Sequence, residues 1–130
     1  SMMAQVTAAA LDSENKALAH PASVDSITTS GGQEDHVSMG PIASRKAAQI
    51  CENLKRIIAI ELLCGAQALD FRGPEKAAPA TGKLHQAIRR VIPPLEEDRP
   101  LAKDIEAMGD LIEAEILLKA LEGELNIHAA

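Results

Sequence analysis

Aromatic side chains are almost missing: the 130 residues include no Trp, no Tyr and a single Phe, Phe71. A packed pair of β-sheets draws heavily on such rings, so Ala, Ile and Leu must fill the interior instead, and these suit close helix packing. The expected fold class is therefore all-α. Cysteine is scarce too, with only Cys51 and Cys64. On one helix these two stand about 20 Å apart, too far for a disulfide. They read as buried core thiols in a reducing compartment.

No hydrophobic run is long enough to span a bilayer. The most apolar stretch, Ile57 to Leu69, is interrupted by Glu61 and Gln67 and falls short of the roughly 20 residues required. No basic, apolar, cleavable leader is seen at the start, so the expectation is a cytoplasmic protein with no membrane partner. Positive charge is in deficit, 13 Lys and Arg against 19 Asp and Glu, a net charge of −6. That balance argues against a protein that holds phosphate backbones by counterion release, and no nucleic acid partner is expected. Cys and His do not cluster at ligand spacing, so no metal is expected either.

What remains is an ordinary globular composition, 46% hydrophobic and 25% charged, and a length suited to one domain. Residues 1–20 read as a helix with Ala4, Ala8, Leu11 and Leu18 on one face, ended by Pro21. Residues 21–40 form a long Ser-, Thr- and Gly-rich connection, of the kind that is usually functional. Gly40 and Pro41 suit the start of a long helix over 41–72, with Ile50, Leu54, Ile57, Ile58 and Leu62 at helical spacing. Its second half is apolar almost all round, with Glu61 and Gln67 as buried hydrogen-bonding partners. At about 45 Å this helix is longer than the rest of the chain can cover, which implies further polypeptide around it. Thr81 can cap a short helix over 81–92. A last helix over 101–123 has Leu101, Ile105, Met108, Ile112 and Ile116 as its apolar face. It is acidic where the long helix is basic, which favours their pairing weakly.

The polar stretch Gly32-Gln33-Glu34-Asp35-His36-Val37-Ser38-Met39-Gly40 combines carboxylates and an imidazole just before a helix. Read by its chemistry alone, it fits two uses. It can hold a general acid or base, or it can cap the helix through Ser38 and Asp35.

The run Gln-Glu-Asp-His-Val-Ser-Met-Gly at 33–40 resembles the histidine ammonia-lyases of the aromatic amino acid ammonia-lyase family. So do Ala-Gln-Val-Thr-Ala-Ala-Ala-Leu at 4–11, Ala-Ile-Glu-Leu-Leu at 59–63 and Pro-Pro-Leu-Glu-Glu-Asp-Arg at 93–99. The resemblance implies a carboxy-terminal segment of a helical-bundle enzyme, completed by the amino-terminal part of the same enzyme and by subunits of a homotetramer. It implies elimination of ammonia from L-histidine to give trans-urocanate. It also implies a methylidene-imidazolone electrophile, which such enzymes build from an Ala-Ser-Gly triplet that this chain lacks. Thr29-Ser30-Gly31 is read as a turn, and the chain alone is expected to be inactive.

By the same resemblance Glu34 is the catalytic residue. The phenylalanine and tyrosine enzymes usually carry Gln there, and a carboxylate suits an imidazole N–H better than a neutral amide does. Gln33, beside Glu34, is expected to bind substrate or to brace the loop, and by the resemblance Met2 binds substrate from the pocket wall. Asp35 and His36 are read as structural. The alternatives are a non-catalytic helical oligomerisation module derived from a lyase, or a lyase or aminomutase acting on another aromatic amino acid.

Overall fold

In the computed structural model, which describes residues 2–123, the chain is built on one long helix. Helix α1 spans Met2–Leu18, α2 Gly40–Arg72, α3 Pro79–Arg89, α4 Ala102–Glu113 and α5 Ile116–Ala120. The described residues contain no strand; an isolated antiparallel bridge joins Thr29 and Glu34. Helix α2 starts with Pro41 in its first turn, where a missing N–H costs nothing. It ends at Gly73, whose φ of 93° is open to glycine and costly for other residues, followed at once by Pro74.

Helix α1 runs antiparallel to α2. His20, just beyond its end, receives Lys46 Nζ on its carbonyl, whereas Asn53 higher on α2 meets Glu14 and Asn15. Asn53 is completely buried, and every hydrogen-bonding task is met. Gln49 Nε2 donates to its Oδ1 at 3.0 Å. Its Nδ2 donates to Glu14 Oε2 at 2.6 Å and Asn15 Oδ1 at 3.0 Å. A buried amide left short of partners would cost about 1–3 kcal/mol, so this arrangement selects one register for α1 on α2.

The core lies where α2, α3, α4 and α5 meet. Ala59 and Ala66, seven residues apart on one face of α2, pack with Ala87, Ile88, Ile92, Met108, Leu111 and Leu117. Ala59 and Met108 have no exposed surface. Small residues on the central helix let its neighbours approach closely, and the long Met side chain fills the remaining space.

Several expectations need correction. The buried face of α2 is Asn53, Ala59, Ile60 and Ala66, while Leu54 and Ile58 are exposed. An almost uniformly apolar helix has no periodicity to mark its covered side. Glu61 is exposed because it sits two positions, about 200° round the helix, from Ala59. Gln67 does pair, accepting from Leu95 N–H at 2.7 Å and donating to Leu95 C=O at 3.3 Å. Both cysteines are exposed rather than buried. Cys51 lies on the far side of α2 from Asn53, and Cys64 borders an open groove beside Ala4 and Phe71.

Helix α3 begins at Pro79 with Ala78 as its cap, so Thr81 lies inside the first turn instead of capping it. The last helix is not continuous. Glu115 adopts φ 56°, and this left-handed residue separates α4 from α5. Such a conformation costs about 1–2 kcal/mol outside glycine. The break turns α5 towards α3 and buries Leu117.

Met108→Ala removes a large side chain that is completely buried in this core. It is expected to lower stability by about 2–5 kcal/mol, read as an earlier midpoint in urea with an unchanged slope.

Candidate active site

The connection between α1 and α2 is exposed, yet it is not loose. Short 3-10 turns at Ala22–Asp25 and Ser30–Gly32 shape it. Ser26 Oγ donates to Val37 C=O at 3.0 Å and accepts Val37 N–H at 2.9 Å. Further out, Thr29 N–H donates to Glu34 C=O at 3.0 Å and Glu34 N–H to Thr29 C=O at 3.3 Å. Between them the chain reverses through Ser30, Gly31 and Gly32, with φ of 57°, 65° and 88°. The two glycines adopt that geometry freely. Thr29-Ser30-Gly31 thus forms part of a tight turn.

Glu34 stands on the returning arm of this hairpin with its carboxylate exposed. Thr29 Oγ1 donates to Glu34 Oε2 at 3.4 Å. Gln33 precedes it on the same turn, its N–H donating to Ser30 C=O at 3.3 Å, and its side chain is exposed. Met2 lies in the first turn of α1 and is 79% exposed. The 17 residues of α1 carry the chain about 25 Å from there to the start of the loop. One turn therefore brings Gln33 and Glu34 together, while Met2 belongs to the opposite end of α1. Asp35 and His36 are exposed. Ser38 Oγ accepts the Gly40 N–H at 3.2 Å as α2 begins.

A second polar cluster escaped the sequence reading. Asp70, near the end of α2, accepts His85 Nε2–H at 2.6 Å on Oδ1, and Arg89 Nη2 and Nε at 2.6 and 3.0 Å on Oδ2. All three side chains are largely buried. Burial is the largest single influence on Asp70 and pushes its carboxyl up. The hydrogen bonds from Arg89 and then His85 together outweigh it and hold the group below its ordinary range. The spacing of His85 and Arg89, four apart on one helix, was the available signal. The cluster ties α3 to α2 and lies away from the hairpin in sequence. On the surface, hydrogen bonds from Lys55 to Glu113 and Glu52 raise the Lys55 ammonium and join α2 to α4. Exposed pairs of this kind guide packing more than they stabilise it.

Among the described residues no three His, Cys, Asp or Glu side chains gather as a metal site would require. No described helix is long and apolar enough to cross a membrane.

The family model for aromatic amino acid lyase matches residues 1–90. The chain belongs to this family. Histidine ammonia-lyase of Symbiobacterium thermophilum is 59% identical over 121 residues, a match covering 93% of this chain and 24% of that protein. The crystal structure of histidine ammonia-lyase from Trypanosoma cruzi matches with a TM-score of 0.91 at 45% identity, over 97% of this chain and 25% of that one. Tyrosine aminomutase from Streptomyces globisporus matches with a TM-score of 0.89 at 37% identity, over 99% of this chain and 24% of that one. The aromatic amino acid lyase helical fold is thus shared over nearly all of the chain, which spans about a quarter of the length of these relatives.

Asp70 supplies a pH test of the fold. Because its carboxyl is held below the ordinary range, its contribution to stability is complete above about pH 5. It is lost as the pH falls through the lowered value. Melting temperature should therefore drop more steeply between pH 5 and pH 2 in the parent than in Asp70→Asn, measured by circular dichroism. At pH 7 the variant should be less stable by about 1–3 kcal/mol.

Proposed function

We propose that this chain is the carboxy-terminal part of a histidine ammonia-lyase, contributing the Glu34 hairpin to a site that eliminates ammonia from L-histidine and releases trans-urocanate. The observation that carries the reading is a glutamate at the tip of a pinned turn in a chain more than half identical to a histidine ammonia-lyase. Glu34 accepts a charge-assisted hydrogen bond from the imidazole N–H of the substrate, which orients the ring and can exchange a proton with it. Gln33, on the same turn, contacts the substrate or braces the loop. Met2 borders the pocket as an apolar wall.

The methylidene-imidazolone electrophile comes from outside this chain. No Ala-Ser-Gly triplet occurs in the sequence, and the nearest serine-glycine pair, Ser30-Gly31, is committed to the hairpin turn with positive φ at both residues. The residues present thus fit a role facing the electrophile rather than forming it. When bound, that group supplies an electron sink that activates the amino acid towards loss of ammonia. The hairpin's task is to receive and hold the heterocycle.

The assembly is an oligomer, a homotetramer in this reading, with the amino-terminal part of the enzyme as the other partner. Its support is apolar surface without cover in the described chain: Ile42, Leu54 and Ile58 on α2, and Phe71, which is 82% exposed. Large apolar side chains left exposed along α2 are the kind of surface that other protein covers. The enzyme works in the cytoplasm. The match to tyrosine aminomutase favours a second reading, a lyase or aminomutase acting on another aromatic amino acid. The carboxylate at position 34, suited to an imidazole, weighs towards histidine.

The test is complementation. This chain, mixed with the amino-terminal part of the enzyme, should restore urocanate formation followed by absorbance, and Glu34→Gln should lower kcat by about 100-fold or more. An assembled complex with its electrophile intact that is equally active with Glu34→Gln shows that this carboxylate does not act on substrate.

A further inference from the structure

The hairpin that carries Glu34 is held by one antiparallel bridge and one side-chain clasp. Ser26 faces Val37 and Thr29 faces Glu34, so three steps along one arm are matched by three along the other. Both pairs belong to one register. At the inner position, where this antiparallel register puts no backbone hydrogen bonds between the facing residues, the serine hydroxyl supplies them, giving one to Val37 C=O and accepting one from Val37 N–H. At the outer position Thr29 engages Glu34 three times, through its N–H, its C=O and its hydroxyl. The Thr29 carbonyl also accepts the Gly32 N–H at 3.2 Å, which fixes the apex of the turn.

Glu34 is exposed and sits on a chain reversal. An unrestrained glutamate there distributes over several rotamers. The two backbone bonds to Thr29 fix the direction of the Cα–Cβ bond, and the hydroxyl contact to Oε2 selects among the remaining side-chain torsions. Oε1 makes no hydrogen bond among the described residues, and it is the oxygen left to meet a ligand.

We propose that Thr29 is a positioning residue for Glu34, its hydroxyl holding Oε2 so that Oε1 is presented to the substrate ring, with Ser26 keeping the hairpin in register. The inference rests on the reading of Glu34 as the group that contacts substrate. Thr29 itself touches no reacting atom. Its effect is to raise the fraction of enzyme in which the carboxylate already points the right way, which acts on turnover through orientation.

The test uses the assembled enzyme containing the amino-terminal part, with Thr29→Val, Thr29→Ser, Glu34→Gln and the double variant Thr29→Val with Glu34→Gln. Thr29→Val keeps the branched shape and removes the hydroxyl. It should lower kcat roughly tenfold and leave KM, melting temperature and oligomeric mass essentially unchanged. Thr29→Ser, which keeps the hydroxyl, should recover most of the loss. Once Glu34 is replaced, Thr29→Val should add nothing, because the hydroxyl has no carboxylate to hold. Parental turnover in Thr29→Val, or a loss that multiplies with that of Glu34→Gln, overturns the positioning role. Should Thr29→Val fail to assemble, Thr29→Ala removes the hydroxyl without a second methyl, and parental turnover there overturns it equally. Full activity in Glu34→Gln overturns the underlying reading instead, whatever the Thr29 variants do.

Discussion

Close approach to one face of α2 is the constraint on which the rest of the structure depends. Helix α2 is 33 residues long, and its buried positions are held by Ala59, Ile60 and Ala66 beside the polar Asn53. Alanines let Met108 and Leu111 of α4 and Ile88 of α3 share one core with the spine. A larger side chain at 59, where nothing is exposed, would drive α4 outward, at about 1–3 kcal/mol. The aliphatic composition and the near absence of rings are the sequence counterpart of this packing, since thin helices need small residues at their crossings.

The hairpin is tied to that spine through a series of polar contacts. Asn53 fixes α1 against α2 through Glu14 and Asn15. Lys46 then holds the His20 carbonyl where α1 gives way to the loop. Ser26 closes the base of the hairpin on Val37, and Thr29 closes its tip on Glu34. These contacts differ in strength. The Asn53 cluster is buried and unforgiving, whereas each exposed bond further out contributes about 0.5–1.5 kcal/mol at most. Local stability therefore falls from the core to the tip, which suits the ligand-receiving part proposed for the hairpin.

The sequence made the architecture legible wherever a strong local signal existed. Pro21 follows the end of α1, and Gly40-Pro41 and Gly73-Pro74 bracket the long helix, because proline and glycine act on the backbone directly. The Ser-rich loop announced itself by composition, and the resemblance singled out Gln33 and Glu34. What could not be read depended on contacts between distant residues. Nothing in the apolar run 57–69 says which side α4 will cover, so Leu54 and Ile58 looked as buried as Ala59. Asn53 reads as a surface residue until Glu14 and Asn15 arrive, 39 and 38 positions earlier in the chain. The break at Glu115 has no glycine or proline to mark it. Tertiary packing of Leu117 outweighs a modest backbone cost there.

Two properties of the chain point to the same missing surroundings. A carboxylate in water interacts weakly with an imidazole, and the same pair gains strength as solvent is excluded. On the proposed reading, Glu34 on its exposed hairpin holds an imidazole strongly only once other polypeptide excludes water from it. Phe71, Leu54 and Ile58 likewise expose apolar surface that would be stabilised by about 25 cal/mol per Å² once covered. On the proposed reading one event satisfies both needs. Burial of these side chains supplies free energy for assembly, and the same assembly dehydrates the hairpin. Catalytic competence would then be coupled to association rather than to folding of this segment, and a pinned Glu34 arriving already oriented would spare the assembled site the entropy of ordering it.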